Sequence, residues 1–411
     1  MVVIVTSLVM WETQETERER QPEQVMALTL ESRLAKAQPS SDIFVVNGTT
    51  GYDNGFNELM KLMEEHGLPF YKSKVKEKEQ GPEGLIARDD VVIIKVNAQW
   101  NERGGTNTDL LRAIIEAIIN HPEGFIGEIV VADNGQAQYG AFGKGGSLDW
   151  EDNNAEDPSQ SAQRVVDMFS SSYKVSTYLW DEITLKRVSE YSEGDMEDGY
   201  IVSQTANPTT GVKVSYPKFK TKFGTYISFK RGIWNPETRS YDNGRLKVIN
   251  VPVLKAHYIY GVTACVKHYM GVVSDKLTNH NAHQSVGTGG MGTEMVETRM
   301  PTLNILDAIW INANPGKGPR TPYSEATRVN VIMASTDPVA LDYWAVKHVL
   351  MQTARRIGFK DLSFIDPDNT ASGSFGKWLR LSMQEIKRAG HQATTNEDQM
   401  NVYVVNLSPT S

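Results

Sequence analysis

This chain of 411 residues has only one cysteine, Cys265. It can therefore form no internal disulfide, and it cannot supply the four thiolates that an iron–sulfur cluster usually requires. It has no block of Lys or Arg, and its formal net charge is −8, which argues against non-specific nucleic-acid binding. No apolar run reaches the ~20 residues that a membrane-spanning helix needs. What remains is a globular composition, 40% hydrophobic and 22% charged, with room for one large or two moderate domains.

The first ten residues are apolar, but no positive charge precedes them and no small-residue cleavage site follows. Two interpretations are open, a first β-strand and the remnant of a truncated leader, and we favour the strand. A cytoplasmic location is then the default expectation, with export of a chain that has lost its leader as the alternative.

Short apolar, β-branched runs alternate along the chain with amphipathic patterns, which predicts an α/β fold. The predicted strands are Ile43–Val46, Val91–Val96, Ile126–Ala132, Val175–Leu179, Leu246–Val251, Val329–Ala334 and Val402–Val405. The predicted helices are Asn54–His66, Thr108–Asn120, Ser161–Phe169, Pro338–Met351 and Phe375–Arg388. Most of the strands are apolar throughout, which is typical of strands buried on both faces. We therefore expect a largely parallel, Rossmann-like sheet with helices on both faces.

Two stretches interrupt this alternation. Residues 140–157 are rich in Gly, Asp and Asn and predict a long surface loop, and residues 194–245 contain short strands separated by turn signals such as Asn235-Pro236. The second stretch predicts a small antiparallel β insertion. The resulting division is an N-terminal extension or first strand (1–40), the first half of an α/β domain (41–193), the insertion (194–245) and the second half (246–411).

Polar residues follow several predicted strands where they end. Lys95 and Asn97 close one strand and Asp133 closes the next, while the Gly104–Thr106 stretch, which includes Gly105, opens a helix whose free N–H groups could hold an anion. In open α/β sheets ligands bind beyond the carboxyl ends of the strands. These positions predict a shared cleft for a small anionic molecule. Asp337, by contrast, precedes a proline and is first of all a helix cap.

The strongest concentration of chemically active side chains lies between residues 250 and 283. Four of the eight histidines are there, together with two lysines, a threonine and the single cysteine. These residues are Lys255, His257, Thr263, Cys265, Lys267, His268, His280 and His283. The density predicts a site, and the alternative is a polar loop with satisfied histidines. We expect Cys265 to be a buried small hydrophobe, and His268 and His280 to lie on the surface or behind the site. The glycine-rich stretch Gly287–Gly292 is either a mobile lid or a disordered connection.

Several of these motifs resemble those of the domain-of-unknown-function family 362, in the same order, from about Ile43 to Leu350. The motifs are K-V-N at 95–97, G-G-T-N-T-D-L-L at 104–111, V-A-D-N-G at 131–135, N-V-P-V-L-K-A-H at 250–257, G-V-T-A-C-V-K-H-Y-M-G at 261–271 and S-T-D-P-V-A-L-D at 335–342. The resemblance implies a fold but no established reaction. Many members carry ferredoxin-like clusters, which the one cysteine here cannot support.

A more distant resemblance is to the N-terminal domain of nickel-pincer lactate racemases, whose motif has the form H-x3-G-x-S-x3-K. Here His257, Gly261, Thr263 and Lys267 follow that spacing, and His283 lies sixteen residues further on. The resemblance implies that Lys267 corresponds to the lysine that carries the pincer nucleotide. It also implies a catalytic role for His257 and a metal-ligand role for His283, with nickel or another divalent metal.

The sequence departs from that family at the position of its second catalytic histidine, where Gln136 and its neighbours stand. Racemisation with two bases would need that histidine. The leading hypothesis is an α/β protein of family 362 whose strand-end cleft binds a small anionic ligand with a metal or nucleotide cofactor, and whose reaction is isomerase- or oxidoreductase-like on a hydroxy acid or sugar acid. The alternatives are a non-catalytic anion-binding protein and an accessory protein to an iron–sulfur partner. Self-association and a separate redox partner are both left open.

Overall fold

The computed structural model describes residues 25–39, 41–76, 79–136, 145–151, 154–157 and 159–408. The strand predicted within the first ten residues lies outside these ranges, as does much of the loop predicted over residues 140–157.

Eighteen strands and nine α-helices lie within the described residues. The strands are β1 (Ser41–Asn47), β2 (Tyr71–Lys72), β3 (Gln80–Gly81), β4 (Ile86–Ala87), β5 (Val91–Lys95), β6 (Glu128–Asp133), β7 (Val175–Leu179), β8 (Gly199–Val202), β9 (Ser215–Lys220), β10 (Tyr226–Ser228), β11 (Gly232–Asn235), β12 (Ser240–Asp242), β13 (Leu246–Asn250), β14 (Val253–His257), β15 (Gly261–Thr263), β16 (Leu303–Asn312), β17 (Thr327–Ser335) and β18 (Met400–Asn406). The helices are α1 (Gly55–Glu65), α2 (Thr108–Ile119), α3 (Ala162–Phe169), α4 (Cys265–His268), α5 (Asn281–Gln284), α6 (Gly290–Glu297), α7 (Pro338–Ala345), α8 (Met351–Arg356) and α9 (Phe375–Arg388).

A mixed, mostly parallel sheet forms the centre of the molecule, in the order β18-β1-β17-β16-β13-β5-β6-β7, with β14 and β15 attached beside β16. Neighbouring strands from β16 to β7 run parallel, whereas β17 is antiparallel to both β16 and β1. The α/β prediction with a largely parallel sheet is confirmed. The Rossmann-like description holds only loosely, because β17 reverses the direction and helices are few.

Both faces of this sheet are buried. Successive side chains of a strand point to opposite faces, and along β1 Val45 packs into one apolar cluster while Phe44 packs into the other. Leu110 of α2 belongs to the same cluster as Phe44, and Val339 of α7 belongs to the cluster of Val45. Helices therefore cover both faces, which explains why the strand sequences are apolar without alternation.

The predicted antiparallel insertion is a five-stranded sheet in the order β12-β11-β10-β9-β8, which lies within residues 194–245. Its Phe219 and Ile227 are fully buried in the cluster that also contains Val45 of β1. The limits assigned to the domains stay a prediction.

Helix ends agree with the sequence signals. The Asn107 side chain accepts hydrogen bonds from Asp109 and Leu110 at the start of α2, and Asp337 caps α7 ahead of Pro338. The disordered connection considered for Gly287–Gly292 was wrong, because this stretch is mostly helical and leads into α6. The helix predicted over Pro338–Met351 is confirmed and continues to Arg356 through a π-helical segment, Val346–Leu350. Among the described residues, none of the helices combines the length and the apolar content that a bilayer crossing requires.

Candidate functional site

A cavity of about 730 Å³ lies beyond the carboxyl ends of β5 and β6, with β14, β15 and α4 on its other side. Its wall combines basic, aromatic and amide side chains from these elements and from the segments that follow them. The wall residues include Lys95, Asn97, Trp100, Asp133, Asn134, Gln136, Lys255, His257, Tyr258, Tyr260, Thr263, Lys267, His268, Gly271, Lys276, His280, His283 and Arg320. Eight of the eleven site residues predicted from the sequence are among them.

A buried ion pair forms the floor of the cavity where β5 and β6 end side by side. Lys95 Nζ lies 2.7 Å from Asp133 Oδ1, and both side chains are almost completely buried. The other carboxylate oxygen of Asp133 accepts a hydrogen bond from the Ala98 N–H at 2.8 Å. Burial lowers the pKa of Lys95, and the Asp133 carboxylate opposes that shift. Burying an unpaired lysine charge would be costly, and the ion pair with Asp133 reduces that cost.

Gly271 passes directly over this pair. A Cβ atom at this position would lie 2.3 Å from both Lys95 Nζ and Asp133 Oδ1. The carbonyl of Gly271 also accepts a hydrogen bond from the Asn134 N–H, so the backbone is held in place. Only glycine fits this approach without displacing the ion pair.

The short helix α4 carries Lys267 and His268 into the wall, and its N-terminus is capped from a distant element. Asp342 of α7 accepts hydrogen bonds from the N–H groups of Cys265 (2.6 Å) and Val266 (2.9 Å). Burial raises the pKa of Asp342 to about 7. The residue before the helix, Ala264, has no side chain that could cap it, so Asp342 performs this role through space.

Two buried lysines, Lys255 and Lys267, give the cavity its electrostatic character. Lys255 Nζ donates a hydrogen bond to the Gly104 carbonyl at 2.5 Å, and burial together with the nearby Lys267 lowers its pKa to about 7. Burial lowers the pKa of Lys267 to about 8, with Asp275 opposing the shift. Among the described residues, no hydrogen-bond acceptor reaches Lys267 Nζ, which lies 4.8 Å from the centre of the Tyr260 ring. Of the three buried lysines Lys95, Lys255 and Lys267, only Lys267 therefore has an amine that bonds to no acceptor among the described residues.

His257 is held as a neutral ring. Its Nδ1 accepts a hydrogen bond from the Ile259 N–H at 3.2 Å, which places the proton of the neutral ring on Nε2. Burial, followed by the neighbouring charges of Lys267 and Lys255, lowers its pKa well below the ordinary value. His257 is accordingly a hydrogen-bond donor through Nε2. Because a metal-bound histidine normally donates from its other nitrogen, this arrangement does not favour a metal ligand.

His283 has the opposite arrangement. Its Nδ1 lies 2.8 Å from Asp275 Oδ2, and Nδ1 of His280 lies 2.9 Å from the same oxygen. Burial opposes ionisation of Asp275, but its hydrogen bonds with these histidines outweigh that effect, so the pKa of Asp275 lies below its ordinary value. A carboxylate that accepts the Nδ1 proton leaves Nε2 of a neutral His283 as an acceptor. His283 is therefore arranged as a base.

Two further wall residues serve mainly to hold the site together. His268 Nδ1 lies 2.8 Å from Asn250 Oδ1 and its Nε2 lies 3.0 Å from the Val96 carbonyl, which links α4 to β13 and β5. His268 is thus buried and contributes to the wall, while both of its ring nitrogens bond within the fold. Gln136 donates hydrogen bonds to the carbonyls of Met270 and Val273, so its amide group is committed to the fold.

Three predicted site residues, Gly104, Gly105 and Thr106, do not line the cavity. The N–H groups of Gly104 and Thr106 donate to the carbonyls of Asn101 and Asn97, and the Thr106 hydroxyl donates to the Val251 carbonyl. The N–H groups of Gly104 and Thr106, which were expected to bind an anion, are thus bonded to carbonyl groups of the protein itself. The loop contributes to the cavity indirectly, because the Gly104 carbonyl holds Lys255 and Thr106 bonds to Asn97.

Sequence reasoning missed several residues that matter here, including Gly271, Asp275, Lys276 and Arg320. Asp275 lies between the Lys267 motif and His283, and a carboxylate close to two histidines was the signal that could have found it. Arg320 belongs to another part of the chain and carries no such local signal.

Metal coordination finds little support in this geometry. Within the part of the chain that the structure describes, no group of three or more His, Cys, Asp or Glu side chains could hold a metal ion. The metal-ligand role expected for His283 stays a prediction. Cys265 is buried, as expected.

The second half of the central sheet carries the match to known proteins. Residues 246–347 match the family model described as Domain of unknown function (DUF362). The expected resemblance to this family is confirmed over these residues, which run from β13 into the segment after α7. The DUF362 segment contains Lys255, His257, Lys267, His283 and the capping residue Asp342.

The opposite wall, with Lys95 and Asp133, lies outside the matched residues. No curated protein matches the chain. The more distant resemblance to lactate racemases therefore stays a prediction.

Proposed function

We propose that this protein binds a small organic anion, such as a hydroxy or oxo carboxylate, in the cavity between the DUF362 segment and the ends of β5 and β6. The observation that carries the proposal is the charge of the wall. Among the described residues, five Lys or Arg side chains line the cavity against a single carboxylate, that of Asp133, which is already paired with Lys95. A concave site with an excess of one charge attracts ligands of the opposite charge.

Unsatisfied polar atoms in the wall also support a ligand. Thr263 Oγ1 and Asn97 Oδ1 are buried and have no hydrogen-bond partner among the described residues. Buried polar atoms normally have partners, so such atoms in a cavity wall are positions where a ligand can bind. Their hydrogen-bonding capacity suits a ligand that carries hydroxyl groups beside its carboxylate.

The arrangement also supports acid–base chemistry as a second candidate function. The Asp275–His283 pair provides a base, and His257 provides a neutral donor through Nε2. Proton abstraction next to a carboxylate would use the first, and the second would stabilise the resulting oxyanion. An isomerase-like reaction on a hydroxy acid is the reaction class that fits these roles. A cofactor, a redox partner and the cytoplasmic location stay predictions.

The binding proposal is tested by calorimetry with lactate and with lactamide, which has a similar shape but no charge. We expect lactate to bind more tightly, because only its carboxylate interacts with the cationic wall. Lys267→Gln should weaken lactate binding by about 10- to 100-fold, since a hydrogen bond to a charged group contributes about 1.5–3 kcal/mol.

Lys61→Gln is the matched control, because Lys61 lies on the exposed side of α1 and its side chain is 57% exposed. It should leave lactate affinity unchanged. Equal affinities for lactate and lactamide, or equal effects of the two substitutions, would contradict an anion site.

A further inference from the structure

We propose that Lys267 forms a covalent imine with the carbonyl carbon of a small 2-oxo acid held in the cavity. This inference rests on the proposed anion site and adds a substrate class and a nucleophile to it. The carboxylate of a 2-oxo acid would interact with the surrounding cations, and its adjacent carbonyl would face the lysine amine.

The position of Lys267 separates it from the two fully buried lysines of the wall, Lys95 and Lys255. The Lys95 amine is paired with Asp133, and the Lys255 amine donates to the Gly104 carbonyl. Lys267 Nζ has neither kind of partner among the described residues and lies over the Tyr260 ring. An amine that no acceptor holds can turn towards a ligand.

The surroundings also favour the unprotonated amine that imine formation needs. Lys267 is almost fully buried, and burial lowers the pKa of its amine, although the Asp275 carboxylate opposes the shift. A lysine that is desolvated or lies next to another cation is activated as a nucleophile. With a pKa of about 8, Lys267 holds a far larger unprotonated fraction at neutral pH than an exposed lysine does.

The chemistry balances without an oxidant or a reductant. The unprotonated amine attacks the carbonyl carbon and forms a C–N bond. The resulting carbinolamine then loses its oxygen and both amine hydrogens as one water molecule, which leaves a C=N bond. His283, with its Nε2 lone pair, is placed to accept a proton during this sequence, and the neutral His257 can donate a hydrogen bond to the departing oxygen.

The test is reductive trapping of the full-length chain with pyruvate and sodium cyanoborohydride, followed by peptide mass spectrometry. We expect one reduced pyruvate adduct on Lys267, formed at least ~10-fold faster than on exposed lysines, because the unprotonated fraction is larger. Lys267→Arg keeps the charge but cannot form an imine, so it should lose this adduct, while lactate binding is measured separately on the unsubstituted chain. Lys61→Arg on α1 should keep the adduct.

The outcomes separate the two proposals. Adducts spread over exposed lysines, or an adduct pattern that Lys267→Arg leaves unchanged, would overturn the imine while lactate binding continued to support the anion site. Absence of both the adduct and lactate binding would overturn both proposals.

Discussion

Replacing Gly271 by alanine should destabilise the protein strongly, although it adds one methyl group. The new Cβ would lie 2.3 Å from both Lys95 Nζ and Asp133 Oδ1. Ordinary contacts need roughly 3.5 Å, so each atom would have to retreat by about 1 Å. The ion pair has a separation of only 2.7 Å and both side chains are almost completely buried, so we expect a shift of this size to separate the two charges.

The magnitude follows from the cost of breaking a buried ion pair, which is about 3–5 kcal/mol. The backbone offers little relief, because the Gly271 carbonyl is held by the Asn134 N–H. We therefore expect Gly271→Ala to lower the free energy of unfolding by about 3 kcal/mol or more, a large share of the roughly 5–15 kcal/mol typical of proteins.

Urea denaturation followed by circular dichroism gives this value, provided that the slope of the transition does not change. Gly287→Ala is the matched control. Nothing lies within 4 Å of a Cβ at Gly287, which is exposed on the same stretch of chain, so the effect should stay within about 1 kcal/mol. Similar stabilities of the Gly271→Ala protein and the unsubstituted protein would refute the described approach of backbone to ion pair.

Two further predictions follow from the cavity wall. Asp342→Ala should lower the free energy of unfolding by about 2–4 kcal/mol, because it leaves two buried N–H groups without acceptors. Asp167→Ala on the exposed side of α3 is the control, and in the same urea experiment it should change this free energy by less than about 0.5 kcal/mol. Equal effects of the two substitutions would contradict the capping role of Asp342. Lactate affinity, measured by calorimetry at constant ionic strength, should be greatest below pH 7 and fall between about pH 7 and 9. The anion binds the protonated lysines, and the pKa values of Lys255 and Lys267 are about 7 and 8; an affinity independent of pH would argue against their role.

The sequence predicted well those strands and helices whose own residues carry a clear apolar or capping pattern. The apolar runs of β5 and β13 and the capped helices α2 and α9 lie close to their predicted positions. Strand β16 was missed although it is buried along its whole length, because Asn304, Asp307 and Asn312 interrupt its apolar character. Tertiary partners satisfy these residues: Asn304 bonds to Asn250, and Asp307 accepts from the Asn107 N–H. The reversed direction of β17 has no local signature either, since it depends on how the chain returns to the sheet.

The candidate site shows the same division. Lys255, His257 and Lys267 could be found because they are close in sequence and belong to types that do chemistry. The roles of the partner residues could not be found in this way. Whether a glycine-rich loop presents its N–H groups to a ligand or to its own backbone depends on contacts across the molecule, and in the loop containing Gly104 those groups bond within the protein.

The cap that Asp342 supplies has a consequence for how the protein is made. A helix of four residues such as α4 is not stable by itself in water, because the entropy lost in forming the first turn exceeds the stabilisation from its few hydrogen bonds. Its stabilising carboxylate is supplied 77 residues later in the chain than Cys265. We therefore expect the wall that carries Lys267 to become ordered during synthesis only after α7 has left the ribosome and packed against α4. A nascent or truncated chain that ends before residue 342 would contain all the lysines and histidines of the cavity wall but would lack the carboxylate that caps α4.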